Sequence, residues 1–88
     1  MAETPSEIIG VLAEVAGAML VAATVRALVE RPDWQNRYEI AVGANQPASQ
    51  VADLLETMVN RGLVHAMGDP GHPNERTYRL DEAVLAEA

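Results

Sequence analysis

The chain has 88 residues, with six arginines, no lysine, thirteen Asp plus Glu and a net charge of −7. This length allows one small domain with a limited core. The absence of cysteine excludes a disulfide framework, a thiolate metal site and a cysteine nucleophile. Because a nucleic-acid-binding surface is normally basic, the acidic balance means that fold and partner have to be inferred separately.

The N-terminal segment carries a strong helix start at Thr4-Pro5-Ser6-Glu7. Threonine suits the N-cap, proline suits the first turn, and glutamate three residues on completes a capping box. Apolar residues then recur at spacings of three and four as far as Val29, which predicts helix over residues 4–30. Gly10 and Gly17 lie on one face and indicate close approach of another helix, or else Gly17 marks a kink or a break into two helices.

The apolar stripe of this segment is wider than one small domain covers, so we expect it to contact a second copy of the chain. The residues assigned to this homodimer interface are Ile8, Leu12, Val15 and Met19. Glu14 and Arg26 interrupt the apolar run, which also lacks the pattern of a signal peptide. We therefore expect no membrane span, and the absence of cysteine favours a cytoplasmic location.

Residues 33–61 have the pattern of two helices joined by a turn. Pro32 ends the first segment, and Asp33 is expected to cap a short helix from about Trp34 to Val42. Gly43-Ala44-Asn45 predicts the turn, since Gly and Asn tolerate positive φ.

The next helix has the clearest period in the chain. Pro47 suits its start, and Gly62, after Asn60-Arg61, suits its C-terminal cap. Apolar residues fall at 0, 3, 4, 7 and 8, which is one face of a helix. These residues are Val51, Leu54, Leu55, Met58 and Val59.

Residues 63–80 predict a two-stranded hairpin. Leu63–Met67 favours a strand, and a turn rich in Gly, Pro and Asn follows it. In Arg76–Leu80 the alternation places Tyr78 and Leu80 on one face, which we expect to be buried. Asp81 is expected to cap a last short helix, so that residues 81–88 close the domain.

These elements predict an α+β winged helix-turn-helix over residues 1–88, mostly helical, with a two-stranded wing and a long N-terminal helix. From about Leu20 onward, three stretches carry a resemblance to the winged-helix domain of PadR-like transcriptional regulators. They are Arg37-Tyr38-Glu39-Ile40, Arg61-Gly62-Leu63-Val64 and Arg76-Thr77-Tyr78-Arg79-Leu80. The resemblance implies a homodimeric DNA-binding repressor whose third helix enters the major groove.

The polar face of the third helix carries the candidate base contacts. Gln and Asn side chains pair with two base-edge atoms of adenine, and Ser contacts either bases or phosphate. The candidates are Gln46, Ser49 and Gln50. The alternative is an ordinary solvated helix face. Asp53 and Glu56 would repel phosphate, so we expect both near the edge of the groove.

Arginine forks match phosphate, so Arg37, Arg76 and Arg79 are the candidate backbone contacts, with Arg76 the strongest. His72 and Asn74 are expected to be polar contacts at the tip of the wing. The alternative for each arginine is an ion pair with a neighbouring carboxylate. Residues 31–80 hold five arginines against six carboxylates, a net charge of −1, so we expect few phosphate contacts and a modest salt dependence.

Other functions receive little support from the sequence. No cofactor, metal site or catalytic set is predicted, because the chain lacks a phosphate-binding glycine motif and compact metal-ligand spacing. The predicted function is therefore sequence-specific binding of double-stranded DNA by a homodimeric transcriptional regulator. The alternative is a winged-helix interaction or assembly module whose acidic surface meets a basic protein partner instead of DNA.

Overall fold

A computed structural model describes residues 4–87, and Ala88, the end of the predicted last segment, lies outside the described residues. The fold is α+β and mostly helical, with a small antiparallel sheet. The helices are α1 (Pro5–Ala16), α2 (Ala18–Glu30), α3 (Arg37–Ala44), α4 (Ala48–Asn60) and α5 (Glu82–Glu87). The strands are β1 (Gln35–Asn36), β2 (Val64–Met67) and β3 (Thr77–Leu80).

The N-terminal segment is two helices and not one. Thr4 caps α1 as predicted, because its hydroxyl accepts a hydrogen bond from the Glu7 amide at 3.3 Å. Gly17 separates α1 from α2 with φ 106° and ψ 128°, a backbone conformation that residues with a Cβ rarely adopt. Of the two alternatives that the sequence left open, the structure therefore has the break at Gly17.

The second predicted helix begins later than expected. Asp33 does not cap it: its carboxylate accepts a hydrogen bond from the adjacent Trp34 amide, and Gln35–Asn36 form β1. Asn36 caps α3, accepting from the Glu39 amide at 2.9 Å while the Glu39 carboxylate accepts from the Asn36 amide at 3.0 Å. The predicted start at Trp34 was therefore wrong by three residues, because this reciprocal capping box lies downstream of it.

The turn before α4 is shorter than predicted. Gly43 and Ala44 continue α3, and Asn45 alone takes the left-handed conformation, with φ 54° and ψ 46°. Pro47 is the N-cap of α4, as its position suggested. The predicted apolar face of α4 is confirmed: Val51, Leu54, Leu55 and Met58 are buried, and Val59 packs against the core.

The sheet has three strands, which corrects the predicted two-stranded hairpin. The strand order is β1-β3-β2, and both pairs are antiparallel. Gln35 faces Tyr78 across the first pair, and Ala66 faces Tyr78 across the second. The short segment after Pro32 was expected to be helical, so its pairing with a strand some forty residues away was missed.

One core joins all five helices to the sheet. Tyr78 and Leu80 are buried together with the apolar face of α4, as the alternation in β3 predicted. Asp81 caps α5 through a hydrogen bond from the Ala83 amide at 3.0 Å. Within residues 4–87, no helix is both long and apolar enough to cross a membrane.

Candidate nucleic-acid interface

The first turn of α4 places exposed polar side chains beside free backbone amides. Ser49 and Gln50 are exposed there, and Gln46 is half-buried just before the helix. The first hydrogen bond of the helix runs from the Val51 amide to the Pro47 carbonyl at 3.0 Å. The amides of residues 48–50 therefore precede the intrahelical bonds and point towards solvent or a ligand.

Within residues 4–87, no side chain caps this helix start. Pro47 provides no capping hydrogen bond, and the first turn of α4 contains no acidic residue. By contrast, α1, α3 and α5 each have a capping side chain and a glutamate in the first turn, whereas α2, which follows α1 directly at Gly17, has neither. The positive end of the α4 dipole is thus left available to an anion.

The surface beside this turn is formed by α3. Tyr38 and Val42 are exposed on it, and together with Asn45 and Pro47 they line a shallow hollow that reaches the start of α4. Val42 is 82% exposed. Val42 thus places an apolar side chain next to the polar first turn of α4 and adds no charge there.

Arg76 does not point into solvent, contrary to its expected role as a phosphate contact. Its Nε donates to Glu56 Oε2 at 2.9 Å, one terminal nitrogen donates to Glu56 Oε1 at 3.2 Å, and the other donates to the Gly68 carbonyl at 2.9 Å. The Arg76 side chain is only 13% exposed. The structure therefore has the alternative role of Arg76, which forms a bidentate ion pair with Glu56.

Tyr78 completes this arrangement, which we call the Glu56 cluster (Glu56, Gly68, Arg76 and Tyr78). The Tyr78 hydroxyl donates to Glu56 Oε2. The Arg76 guanidinium lowers the pKa of Glu56, with burial opposing it, whereas burial and the carboxylate raise the pKa of Tyr78 to about 12. Glu56 was expected at a groove edge, but its charge is neutralised within the fold.

The remaining predicted cations also have partners within the protein. Arg79 lies 5.6 Å from the Trp34 ring centroid and donates to Glu82 at 3.2 Å. Arg37 stacks on the Tyr38 ring at 5.0 Å, and its guanidinium donates to the Asn74 side-chain oxygen. These contacts connect α3 to the loop before β3, so Arg37 and Asn74 meet each other.

The loop tip holds the last of the predicted wing contacts. His72 Nδ1 lies 3.1 Å from a carboxylate oxygen of Asp69, and both side chains are largely exposed. Asp69 also accepts from the Gly71 amide, and these two hydrogen bonds, the amide first, lower its pKa. The tip therefore presents a carboxylate beside the imidazole.

Sequence reasoning missed two kinds of residue. Arg31 and Arg61 are exposed and make no ion pair within residues 4–87, yet neither was assigned a contact. Tyr78 was expected only as a core residue, and its hydroxyl role had no local signal because Glu56 lies 22 residues away. Exposure of a charge depends on such distant partners.

The predicted dimer residues separate into two groups. Leu12 is buried in the core of the protein itself, and Ile8 packs partly against that core. Neither is therefore placed as an exposed subunit contact. Val15 and Met19 are 82% and 80% exposed at the corner where α1 meets α2.

Searches of protein-family models, of curated proteins and of solved structures found no match to this chain.

Proposed function

We propose that the chain is a winged helix-turn-helix that binds double-stranded DNA and regulates transcription as a homodimer in the cytoplasm. In this assignment α3 and α4 are the helix-turn-helix, α4 is the recognition helix, and the β2–β3 hairpin is the wing. The order of elements and the strand order β1-β3-β2 support it. Membership of the PadR-like family and action as a repressor stay predictions from the resemblance.

The observation that carries this proposal is the uncapped, acid-free start of α4 beside the tight turn at Asn45. A phosphate is the ligand that free helix amides bind best, and the adjacent Ser49 and Gln50 side chains are exposed for base contacts. Gln50 pairs with two atoms of adenine, and Ser49 contacts a base edge or phosphate. Gln46 lies at the margin of the same surface.

The electrostatics of this interface differ from those of an arginine-rich wing. Arg76 is bound to Glu56, and Arg79 is paired with Glu82, so neither is counted as a phosphate contact in the proposed complex. The uncapped backbone amides at the start of α4 replace them. We therefore expect a weak salt dependence of affinity, because few counterions are released on binding.

A charge placed at the start of α4 tests the proposal. Ser49→Asp should stabilise the helix by about 0.3–1 kcal/mol through the dipole, yet weaken DNA binding by about tenfold or more through repulsion of phosphate. Thr57→Asp adds the same charge in the last turn of α4, so it should slightly destabilise the fold and reduce DNA affinity less. Thermal unfolding and anisotropy with duplexes selected from a random pool measure both quantities.

The opposite signs of the two effects make the result specific to the interface. If Ser49→Asp and Thr57→Asp weaken DNA binding equally, only net charge matters and the placement on α4 is wrong. If the wild-type protein retains no duplex from the pool at low salt, DNA binding itself is excluded as the function.

A second candidate function is a protein-interaction or assembly module that binds a basic partner. The internal pairing of Arg76, Arg79 and His72 favours it, because a net charge of −7 is then left on the surface without a matching basic patch. Under this proposal the loss of duplex binding at low salt is the expected outcome.

Homodimerisation is proposed through Val15 and Met19, the exposed part of the predicted interface. Met19→Glu should give monomers without loss of folding, because this side chain contributes little to the core of a single subunit. Sedimentation equilibrium tests it, with Ala86→Glu, which adds the same charge at an exposed position on α5, as the control. A monomeric wild-type protein at micromolar concentration contradicts the dimer.

A further inference from the structure

A groove of about 390 Å³ lies between the α1–α2 corner and the side of α4. Its apolar lining comes from three elements: Leu12 and Val15 on α1, Leu20 on α2, and Leu54 on α4. This volume is within the range of about 300–1,000 Å³ that small-molecule sites occupy. The groove, which we call the corner groove, does not include Glu56, Arg76 or Tyr78, but Asp53 borders both it and the pocket beside those residues.

The polar edge of the corner groove is formed by α4. Gln50, Asp53 and Thr57 line this edge. Asp53 is exposed and forms no ion pair within residues 4–87, whereas Glu56 on the same helix is neutralised by Arg76. An apolar surface thus ends at a carboxylate that has no direct ion-pair partner among these residues, although Arg37 and Arg76 line the neighbouring pocket with it.

We propose that the corner groove binds a small lipophilic cation, such as an amine with an apolar body. The apolar body is placed against Val15 and Leu20, with the almost fully buried Leu12 and Leu54 behind them, and the cationic group is placed at Asp53. Burial of apolar atoms supplies most of the affinity, at roughly 25 cal/mol per Å², and the carboxylate selects the sign of the ligand's charge. The overall charge of −7 further disfavours anions.

A small cation suits this groove better than a second copy of the chain. Another copy would bring a further charge of −7 towards Asp53, whereas a cation is attracted to it. Met19 does not line the groove, but Val15 does, and Val15 also belongs to the proposed dimer surface. Amine binding and dimerisation through Val15 should therefore compete, and dilution of the protein separates the two.

Gln50 belongs both to the groove edge and to the proposed base-reading turn. Occupancy of the groove should therefore reduce DNA affinity, and this coupling alone rests on the proposed function. Binding of the cation does not depend on DNA, so it is measured on the protein by itself. Failure of DNA binding and failure of ligand binding are thus separate results.

The experiment compares three probes with the same apolar body: 4-phenylbutylamine, 4-phenylbutanol and 4-phenylbutyrate. Each is titrated into ¹⁵N-labelled protein and followed by heteronuclear NMR. The amine should give saturable shifts at the amides of Val15, Ala16, Leu20 and Asp53. Its affinity should exceed that of the alcohol by about two- to fivefold, as expected for one exposed ion pair, and the anion should bind most weakly.

Two pairs of variants locate the site. Asp53→Asn should remove the preference for amine over alcohol, whereas Glu75→Gln, at an exposed carboxylate on the far loop, should preserve it. Ala16→Leu fills the groove and should abolish binding of all three probes, whereas Ala22→Leu adds the same atoms at an exposed position outside it. All four positions are at least partly exposed, so folding should be retained.

Three outcomes overturn the proposal. The first is an absence of saturable shifts with the amine, and the second is a preference for amine that survives Asp53→Asn. The third is a set of chemical-shift changes at the groove amides that depends on the protein concentration and not on the amine concentration. That result assigns the groove to a second copy of the chain.

Discussion

The start and the middle of α4 use polar residues in opposite ways. At the start, Ser49 and Gln50 are exposed, uncharged and next to amides that no side chain in the described part of the chain caps. Two turns later, Glu56 accepts hydrogen bonds from Tyr78 on β3 and from Arg76, the residue just before that strand. The start of α4 therefore has exposed hydrogen-bonding groups, whereas the carboxylate in its middle is paired within the fold.

This difference explains how an acidic chain can carry a candidate DNA interface. A guanidinium that is already bidentate to a carboxylate has no fork left for phosphate, so counting arginines overestimates the available positive charge. The helix dipole needs no charged residue. The partner of a chain like this one is determined by which groups remain unpaired and not by its net charge alone.

The largest loss of stability is expected from a change in the buried apolar face of α4, which lies under both the start and the middle of the helix. Leu55 is fully buried on the apolar face beneath them. Leu55→Ala should lower the free energy of unfolding by about 2–5 kcal/mol through the cavity it leaves. Thr57→Ala, at an exposed position on the same helix, should cost much less, and denaturant unfolding compares the two. Equal losses would mean that α4 is not held by this face.

The apolar frame of the molecule was predictable from local sequence signals. The face of α4, the caps at Thr4 and Asp81, and the alternation of Tyr78 and Leu80 are each set by residues within a few positions of one another. Helical and strand periodicities report such short-range order directly. These features were therefore predicted correctly.

The pairing across the sheet was not predictable in the same way. β1 is two residues long and is defined by its register with β3, which pairs Gln35 with Tyr78. The ion pair between Glu56 and Arg76 spans 20 residues. Neither the β1–β3 pairing nor this ion pair has a periodic sequence signal. The third strand was therefore missed, and Arg76 was predicted to contact DNA. For the candidate site, the exposed start of α4 was predicted, whereas the state of its arginines was not.

Breaking the Glu56 cluster should have a smaller effect than the cavity. Glu56→Ala leaves the Tyr78 hydroxyl without its acceptor and Arg76 with only the Gly68 carbonyl, so we expect a loss of about 1–3 kcal/mol in unfolding free energy. Asp53→Ala removes a carboxylate from the same helix that makes no ion pair within residues 4–87, and it should be nearly neutral.

The same pair of variants sharpens the comparison when DNA is added. Under the proposed function, Glu56→Ala frees Arg76 and should increase the salt dependence of DNA affinity, by about one unit of slope if one further phosphate is contacted. An unchanged slope would place Arg76 away from the DNA backbone even when it is unpaired.

The smallest effect at neutral pH is expected for Tyr78→Phe, which removes one hydroxyl hydrogen bond and should cost about 0.5–1.5 kcal/mol. Its more informative consequence is at alkaline pH. The pKa of Tyr78 is raised from 10.0 to about 12, chiefly by burial and then by Glu56, so the folded state holds this proton more tightly than the unfolded state. The associated stability is complete below pH 10 and is lost as the pH rises to about 12.

Urea unfolding of the wild type and Tyr78→Phe between pH 8 and about pH 12 measures this dependence. The wild type should lose stability more steeply above pH 10, so the difference between the two proteins should shrink and then reverse as the tyrosinate forms. Tyr38→Phe is the control, because Tyr38 is exposed and bonded to Asn74 and Arg37 instead of a carboxylate. Parallel pH profiles for the wild type and Tyr78→Phe would show that the Tyr78 hydroxyl is not held against Glu56. The contrast between the two parts of α4 would then rest on the arginine pair alone.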